Sequence, residues 1–341
     1  MLSGHDGLVV EALEAYAGER LPTFPGYELI RDLPDPVSTR GGFVGALRPT
    51  LLAIRRVLAR RRQLHRGFDV AHIQTLTYEV DAFDLPRLAR RLPVVAFVHD
   101  VDPHVPRWPH FVQRFLLHRV YSARVDFVVA HPSLAARLQA EYGVSPQRIH
   151  VVPLGLDAHR EVTHCSSSSG PQSLLFLGTL RKNKGLPVLL DAFAKLPPGR
   201  FRLTVAGRGD AELERRAQEF TNGRDDVSLE IGLVTEDRKW QLLSECDVVV
   251  LPYESFASQS AVLMEAYSAR RPVVVTDVGA IGHTVREDRT GVVVAPGRAD
   301  ALLAGLIAVS EMPRAELAES LDRAAARYDY AVVGRQLRDV Y

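Results

Sequence analysis

The sequence predicts an α/β protein made of two Rossmann-like domains. Short apolar, β-branched runs alternate with segments of helical period, which is the pattern of βαβ units and parallel sheets. The alternation breaks at 157–172, where Cys165-Ser166-Ser167-Ser168-Ser169-Gly170-Pro171 has no hydrophobic period and reads as a linker. A chain of 341 residues also exceeds the roughly 100–200 residues of a typical domain, so a separate core is expected on each side of that break.

In the first domain, 1–156, the apolar runs place strands at 27–31, 69–74, 94–99, 125–130 and 149–153. Helices are expected between them at 8–17, 43–63, 85–91, 108–119 and 133–142. The second domain, 173–325, repeats the alternation with strands at 173–176, 202–206, 228–231, 248–252, 273–276 and 291–294. Its helices are expected at 185–195, 211–221, 238–245, 260–269 and 299–310, with two more closing the chain. The last segment, 326–341, is read as a helix that crosses back to the first domain.

Composition excludes several classes of function. Hydrophobic residues make up 46%, charged residues 24%, and the formal net charge is +1, so the whole chain has no electrostatic preference for nucleic acid. Cys165 and Cys246 form no CxxC pair, and no HxxxH or Asp/His cluster is present. Neither a disulfide framework nor a metal is therefore expected, and the two thiols read as those of a cytoplasmic protein. Met1-Leu2-Ser3-Gly4-His5-Asp6 lacks the basic and apolar regions of a signal peptide, and no apolar run approaches the ~20 residues of a membrane span.

Open parallel sheets bind ligands beyond the carboxyl ends of their strands, so the residues just after each strand are the candidates. After strand 173–176 comes Gly178-Thr179-Leu180-Arg181-Lys182-Asn183-Lys184-Gly185. Arg181 and Lys184 beside a helix N-terminus suit a phosphate or diphosphate, against the plainer reading of a solvated turn. Gly207 and Gly209, after the next strand, allow close approach of the backbone to a ligand or to another backbone.

Beyond strand 248–252, Ser258, Gln259 and Ser260 supply an N-cap and backbone N–H groups for a second phosphate contact. Glu265 follows on the same apolar helix. A buried carboxylate needs hydrogen-bond donors, which a ribose diol would provide; the alternative is an exposed glutamate without a role. In the first domain His99 closes strand 94–99, well placed for proton chemistry at a hydroxyl or glycosidic oxygen, with His104 shortly after. His72 and His131 also stand at strand ends.

Taken in order, these pieces resemble the retaining GT-B glycosyltransferases of the glycosyltransferase 4 family. The resemblance covers nearly the whole chain and is strongest over 174–296. It rests on Gly178, Arg181, Lys184 and Gly185; on Gly207 to Gly209; on Cys246-Asp247-Val248-Val249-Val250-Leu251-Pro252; and on Glu265 followed by Pro272-Val273-Val274-Val275-Thr276-Asp277-Val278-Gly279. Asp69-Val70-Ala71-His72, Val98-His99-Asp100 and Val152-Pro153-Leu154-Gly155-Leu156-Asp157 agree in the first half.

The resemblance implies two Rossmann-like domains facing across a cleft that binds a nucleotide-diphosphate sugar, with no cofactor beyond that donor. It implies that Arg181 and Lys184 hold the diphosphate, Glu265 the ribose, and His99 the donor sugar near the reacting carbon. Two features depart from the family. Many members have a sugar-binding glutamate where this chain has Ala257, for which Glu254, Ser258 or Gln259 are the candidate substitutes. Only Met1-Leu2-Ser3 precede the loop-like Gly4-His5-Asp6-Gly7, so either the start lies upstream or the first sheet lacks its usual first strand.

The expected acceptor is a hydroxyl on a glycan, a lipid-linked molecule or a small molecule. Helix 51–64 gathers Arg55, Arg56, Arg60, Arg61 and Arg62 around an apolar side, so it reads either as a peripheral contact with the inner face of a membrane or as an ordinary helix with a solvated arginine face. Trp108, Phe111 and Phe115 add an apolar contact or pack in the core. The competing functions are a catalytically silent paralogue acting as a sugar-nucleotide binder or as a partner subunit, and, more remotely, an epimerase or a phosphorylase.

Overall fold

The computed structural model describes residues 8–11, 27–30, 69–102, 108–159, 170–255 and 259–341. It divides into two units: Met1–Val129 with Ala135–Val151 and Leu337–Tyr341, and Ala130–Leu134 with Val152–Gln336.

In the first unit, β1 (Leu8–Glu11) and β2 (Tyr27–Ile30) pair in parallel as a two-stranded sheet. The helix expected over 8–17 is thus corrected at its start: Leu-Val-Val-Glu is a β-branched run that pairs as a strand instead. A four-stranded parallel sheet follows, in the order β3 (Ala71–Ile73), β4 (Val94–Val98), β5 (Asp126–Val129), β6 (Ile149–Val151). All five residues of β4 are buried, as expected for a central parallel strand covered on both faces.

The covering helices described here are α1 (Tyr78–Leu88), α2 (His110–Tyr121) and α3 (Pro132–Tyr142). Helix α1 begins well before the expected Leu85 and keeps Pro86 inside it. Proline removes a donor and frees the carbonyl four residues back. Here that carbonyl, Ala82 O, accepts from Arg119 Nε of α2 at 3.2 Å, so the two helices share the repair.

The second unit holds a six-stranded parallel sheet. Its strands are β7 (Gln172–Leu177), β8 (Phe201–Gly207), β9 (Val227–Ile231), β10 (Val248–Leu251), β11 (Val273–Thr276) and β12 (Gly291–Val294), ordered β12-β11-β10-β7-β8-β9. Alternate residues feed opposite faces. Leu174, Phe176, Val248, Val250 and Val274 enter one core, while Leu175, Leu177, Val249, Leu251, Val273 and Val275 enter the other.

Eight helices are described in this unit or leaving it: α4 (Leu186–Phe193), α5 (Ala211–Thr221), α6 (Glu236–Glu245), α7 (Ala261–Ser268), α8 (Gly279–Asp288), α9 (Ala299–Glu311), α10 (Arg314–Tyr328) and α11 (Tyr330–Arg338). Helix α8 is absent from the expectations above. Buried Arg271 donates to Leu243 O at 2.7 Å and Ser244 O at 2.6 Å, satisfying carbonyls at the end of α6 with a cation of favourable sign.

The strand order is that of the doubly wound nucleotide-binding sheet, whose direction reverses between β7 and β10. Ligands are expected beyond the carboxyl ends of those two strands. The expected linker at 157–172 lies mostly outside the described residues, as does helix 51–64. Among the described residues, no helix is long and apolar enough to cross a membrane.

Candidate functional site

Three loops meet at the reversal point of the second unit. The loop after β7 runs from Gly178 through a 3₁₀ turn, Lys182–Lys184, to Gly185, which starts α4. It lies along the loop after β8, where Leu180 N donates to Arg208 O at 2.9 Å and Asp210 N to Leu180 O at 2.8 Å. A Cβ at Gly207 would fall 1.9 Å from Gly178 O. Of the two readings left open for Gly207, close approach to another backbone is the one realised.

The third loop, after β10, is tied to the first by Glu254 N donating to Asn183 O at 2.9 Å and Asn183 Nδ2 to Ser255 O at 3.3 Å. Gly185 reaches Pro252 so closely that a Cβ would lie 1.8 Å from its carbonyl oxygen. The β11 motif supports the same loop, because the buried Thr276 hydroxyl donates to Tyr253 O.

The cations project from this frame. Arg181 is exposed, and Lys184 Nζ sits 3.6 Å from the centroid of the Tyr253 ring. The ring face attracts the ammonium by about 0.5–2 kcal/mol and so restricts its position. Tyr253 is itself buried, its hydroxyl 3.1 Å from Ser260 Oγ, and burial pushes its pKa up to about 12.

Helix α7 opens beside the basic loop. A Cβ at Gly178 would come 3.9 Å from Val262 Cγ2 in its first turn. Ser260 occupies the N-cap position but makes no side-chain bond to the helix; its hydroxyl faces Tyr253 instead. Gln259 is buried, and its Oε1 accepts from Leu154 N at 2.8 Å, which commits this side chain to the Val152–Asp157 signature. Backbone N–H groups of Gln259 and Ser260 can supply the anion contact expected of them. Ser258 and Ala257 lie outside the described residues, while Glu254 is exposed.

Glu265, one turn further in, is part-buried and its Oε1 accepts from Lys239 Nζ at 2.7 Å. Lys239 also binds Glu236 at 2.7 Å, so one ammonium serves two carboxylates. Burial raises the Glu265 pKa, and the bond from Lys239 only partly opposes this. Burial also works against the charge on Lys239, but the two glutamates outweigh it and hold its pKa above the ordinary value. Lys239 was not among the expected site residues. Sequence offers no signal for it, since its partner is 26 residues away on another helix.

His99 stands in the first unit, just past β4. Its Nε2 lies 3.0 Å from Gln74 O, so Nε2 carries the hydrogen and Nδ1 is the acceptor when the ring is neutral. The ring also contacts Phe97 at 4.5 Å between centroids. Burial of the inner side of the imidazole lowers its pKa, so it is neutral near pH 7.

The other strand-end histidines are engaged elsewhere. His72 Nδ1 bonds the Tyr341 hydroxyl, and burial lowers its pKa. His131 Nδ1 accepts from Ser133 N at 3.1 Å, which leaves Nε2–H to face His283 Nδ1 at 3.3 Å. His104 lies outside the described residues.

The chain matches two family models: Glycosyltransferase Family 4 over residues 6–160 and Glycosyl transferases group 1 over residues 171–311. A D-inositol 3-phosphate glycosyltransferase of Pseudarthrobacter chlorophenolicus is 29% identical over 69% of this chain and 60% of its own length, so the match spans less than two thirds of that relative. A phosphatidyl-myo-inositol mannosyltransferase of Mycobacterium tuberculosis is 31% identical over 81% of this chain and 74% of its own. The Anabaena protein Alr3699/HepE, solved in complex with UDP, superposes with a TM-score of 0.68 at 16% identity, covering 92% of this chain and 85% of that one. It has also been solved with UDP-glucose. These likenesses show a fold of two Rossmann-like domains of the GT-B type.

Proposed function

Because the chain belongs to the group 1 and family 4 glycosyltransferases, we propose that it transfers a sugar from a nucleotide-diphosphate donor to a hydroxyl acceptor with retention of anomeric configuration. The observation that carries the reading is that the loop bearing Arg181 and Lys184 lies beside the α7 N-terminus at the reversal point of the second sheet. Backbone N–H groups and fixed cations at such a point favour a diphosphate, and they gain most when charge builds up on it as it leaves. No divalent cation enters the proposal.

Glu265 is assigned to the ribose. Lys239 holds its carboxylate in place and favours its charged form against the burial that raises its pKa, and a diol would add donors to a carboxylate whose burial is otherwise costly. His99, neutral and with Nδ1 as acceptor, is assigned to the sugar beside the reacting carbon. The solved complexes of a fold relative with UDP and UDP-glucose support a nucleotide-sugar donor. The relative named phosphatidyl-myo-inositol mannosyltransferase supports an acceptor hydroxyl carried by a lipid.

The test is incubation with UDP-, GDP-, ADP- and dTDP-sugars, with and without acceptor extract. Nucleotide release is followed, and the product anomer is read by proton NMR. Release that depends on acceptor, with the donor's anomeric configuration kept, is expected; inversion would refute retention. Ala257 favours one second reading, a binder of sugar nucleotides without turnover, which predicts binding and no release with any donor.

A further inference from the structure

Helix α2 is apolar on two sides. Leu116, Leu117, Val120 and Tyr121 face inward and are buried. On the outside Phe111 is 74% exposed and Phe115 56%, at the spacing of four that places side chains on one helical face, and Trp108, 48% exposed, stands just before the helix begins. Phe83 of α1, 45% exposed, extends the patch. Arg119 joins the two helices: its guanidinium lies 5.0 Å from the Phe83 ring centroid and 5.9 Å from that of Phe115 while Nε holds Ala82 O. The core-packing alternative for these aromatics is thereby set aside.

The surroundings of the patch are basic. From the start of α1 to Arg124 the chain carries seven arginines and five acidic residues, although its net charge overall is only +1. Two of the acids, Asp81 and Asp84, are buried, and a third, Asp102, is paired with Arg137 at 2.5 Å. Isolated exposed aromatics need no explanation, but a contiguous aromatic face rimmed by arginine marks an interaction site. The complementary partner is apolar in the middle and anionic at its edges.

We propose that the outer face of α1 and α2, with Phe83, Trp108, Phe111 and Phe115 flanked by Arg114 and Arg119, docks on an anionic lipid bilayer. Aromatic side chains belong at the boundary between headgroups and acyl chains, with guanidinium groups at the phosphates. Single-stranded nucleic acid would need open ring faces for stacking, whereas Arg119 already lies over two of the four rings. The proposal deepens, and for its purpose rests on, the reading of a lipid-borne acceptor, but it is tested without donor or transfer.

Trp108 and Trp240 are the chain's two tryptophans, so Trp240→Phe leaves Trp108 as the sole indole reporter. Flotation with phosphatidylcholine vesicles, with and without an equal part of phosphatidylglycerol, measures binding; brominated lipids measure insertion. The anionic vesicles are expected to bind at least about tenfold more tightly, with Trp108 blue-shifted and quenched. Phe111→Ser with Phe115→Ser is expected to weaken binding by about tenfold or more. Arg114→Gln should weaken it about fivefold, an effect erased in high salt.

Thermal melts of these exposed variants should match the parent. Equal binding to neutral vesicles, an unquenched Trp108, or variants that float like the parent would overturn the proposal. So would loss, in the same variants, of self-association or of RNA binding in place of lipid binding. Such a failure would leave nucleotide release untouched, and absence of release would leave vesicle binding untouched.

Discussion

Replacing Gly185 by alanine tests whether the basic loop is held by backbone-to-backbone packing. Gly185 has φ 70° and ψ 22°, and a Cβ there would lie 1.8 Å from Pro252 O. The left-handed conformation alone costs a residue with a side chain about 1–2 kcal/mol. Reaching ordinary contact near 3.4 Å requires the two loops to separate by roughly 1.6 Å, which breaks the bond from Glu254 N to Asn183 O at 2.9 Å. With about 1 kcal/mol for that bond and about 1–2 kcal/mol of residual strain, the loss comes to about 3–5 kcal/mol.

Gly199 is the control, with φ 74° and nothing within 4 Å of an added Cβ, so Gly199→Ala should cost only the conformational term. Urea denaturation followed by circular dichroism measures both. Gly185→Ala is expected to lose about 2–3 kcal/mol more than Gly199→Ala, by the same reasoning, and to bind nucleotide more weakly because Arg181 and Lys184 move with the loop. Equal losses, or unchanged nucleotide affinity, would refute the argument.

Two further outcomes follow from the charged groups. Lys239→Met leaves Glu265 part-buried beside Glu236 without its cation, and is expected to cost about 1–3 kcal/mol of stability at neutral pH. The carboxyl pKa, already raised, rises further, so the cost should shrink as pH falls through it. Adding Glu265→Gln should restore stability, and denaturation at pH 7 and near pH 5 checks both. For His99, whose pKa is lowered by burial, turnover should hold to a lower pH than an ordinary imidazole would allow, and fall as the ring is protonated. His99→Ala should spare nucleotide affinity and reduce turnover, and pH–rate profiles of both proteins decide.

The second unit was the more legible. Its strands are buried runs of valine and leucine, such as Val248–Leu251 and Val273–Thr276, and they declare themselves without tertiary information. Helix α8 was not visible, because Gly279 and Gly282 in its first turn read as loop. Gly282 is small because a Cβ there would meet Asp277 Oδ1 at 2.5 Å. Helix α1 was expected to start at Leu85 and starts at Tyr78, with Pro86 inside it, a defect that Arg119 repairs from another helix.

At the site, the basic loop, the α7 start and Glu265 were legible from strand ends and helix caps. The commitments of Gln259 to Leu154 and of Lys239 to Glu265 were not, since both are long-range pairings that leave no local trace. The first unit was less legible. Leu8–Glu11 is too short for its period to distinguish helix from strand, and parallel pairing with β2 decides the matter.

The central claim is that a nucleoside diphosphate binds at the reversal point of the second sheet, and calorimetric titration of UDP and GDP tests it most directly. The wild-type chain should bind at least one of the two, with Lys184→Ala and Glu265→Gln each about tenfold weaker or more, as expected for the loss of a charge-assisted contact. Wild-type affinity in both variants would contradict it.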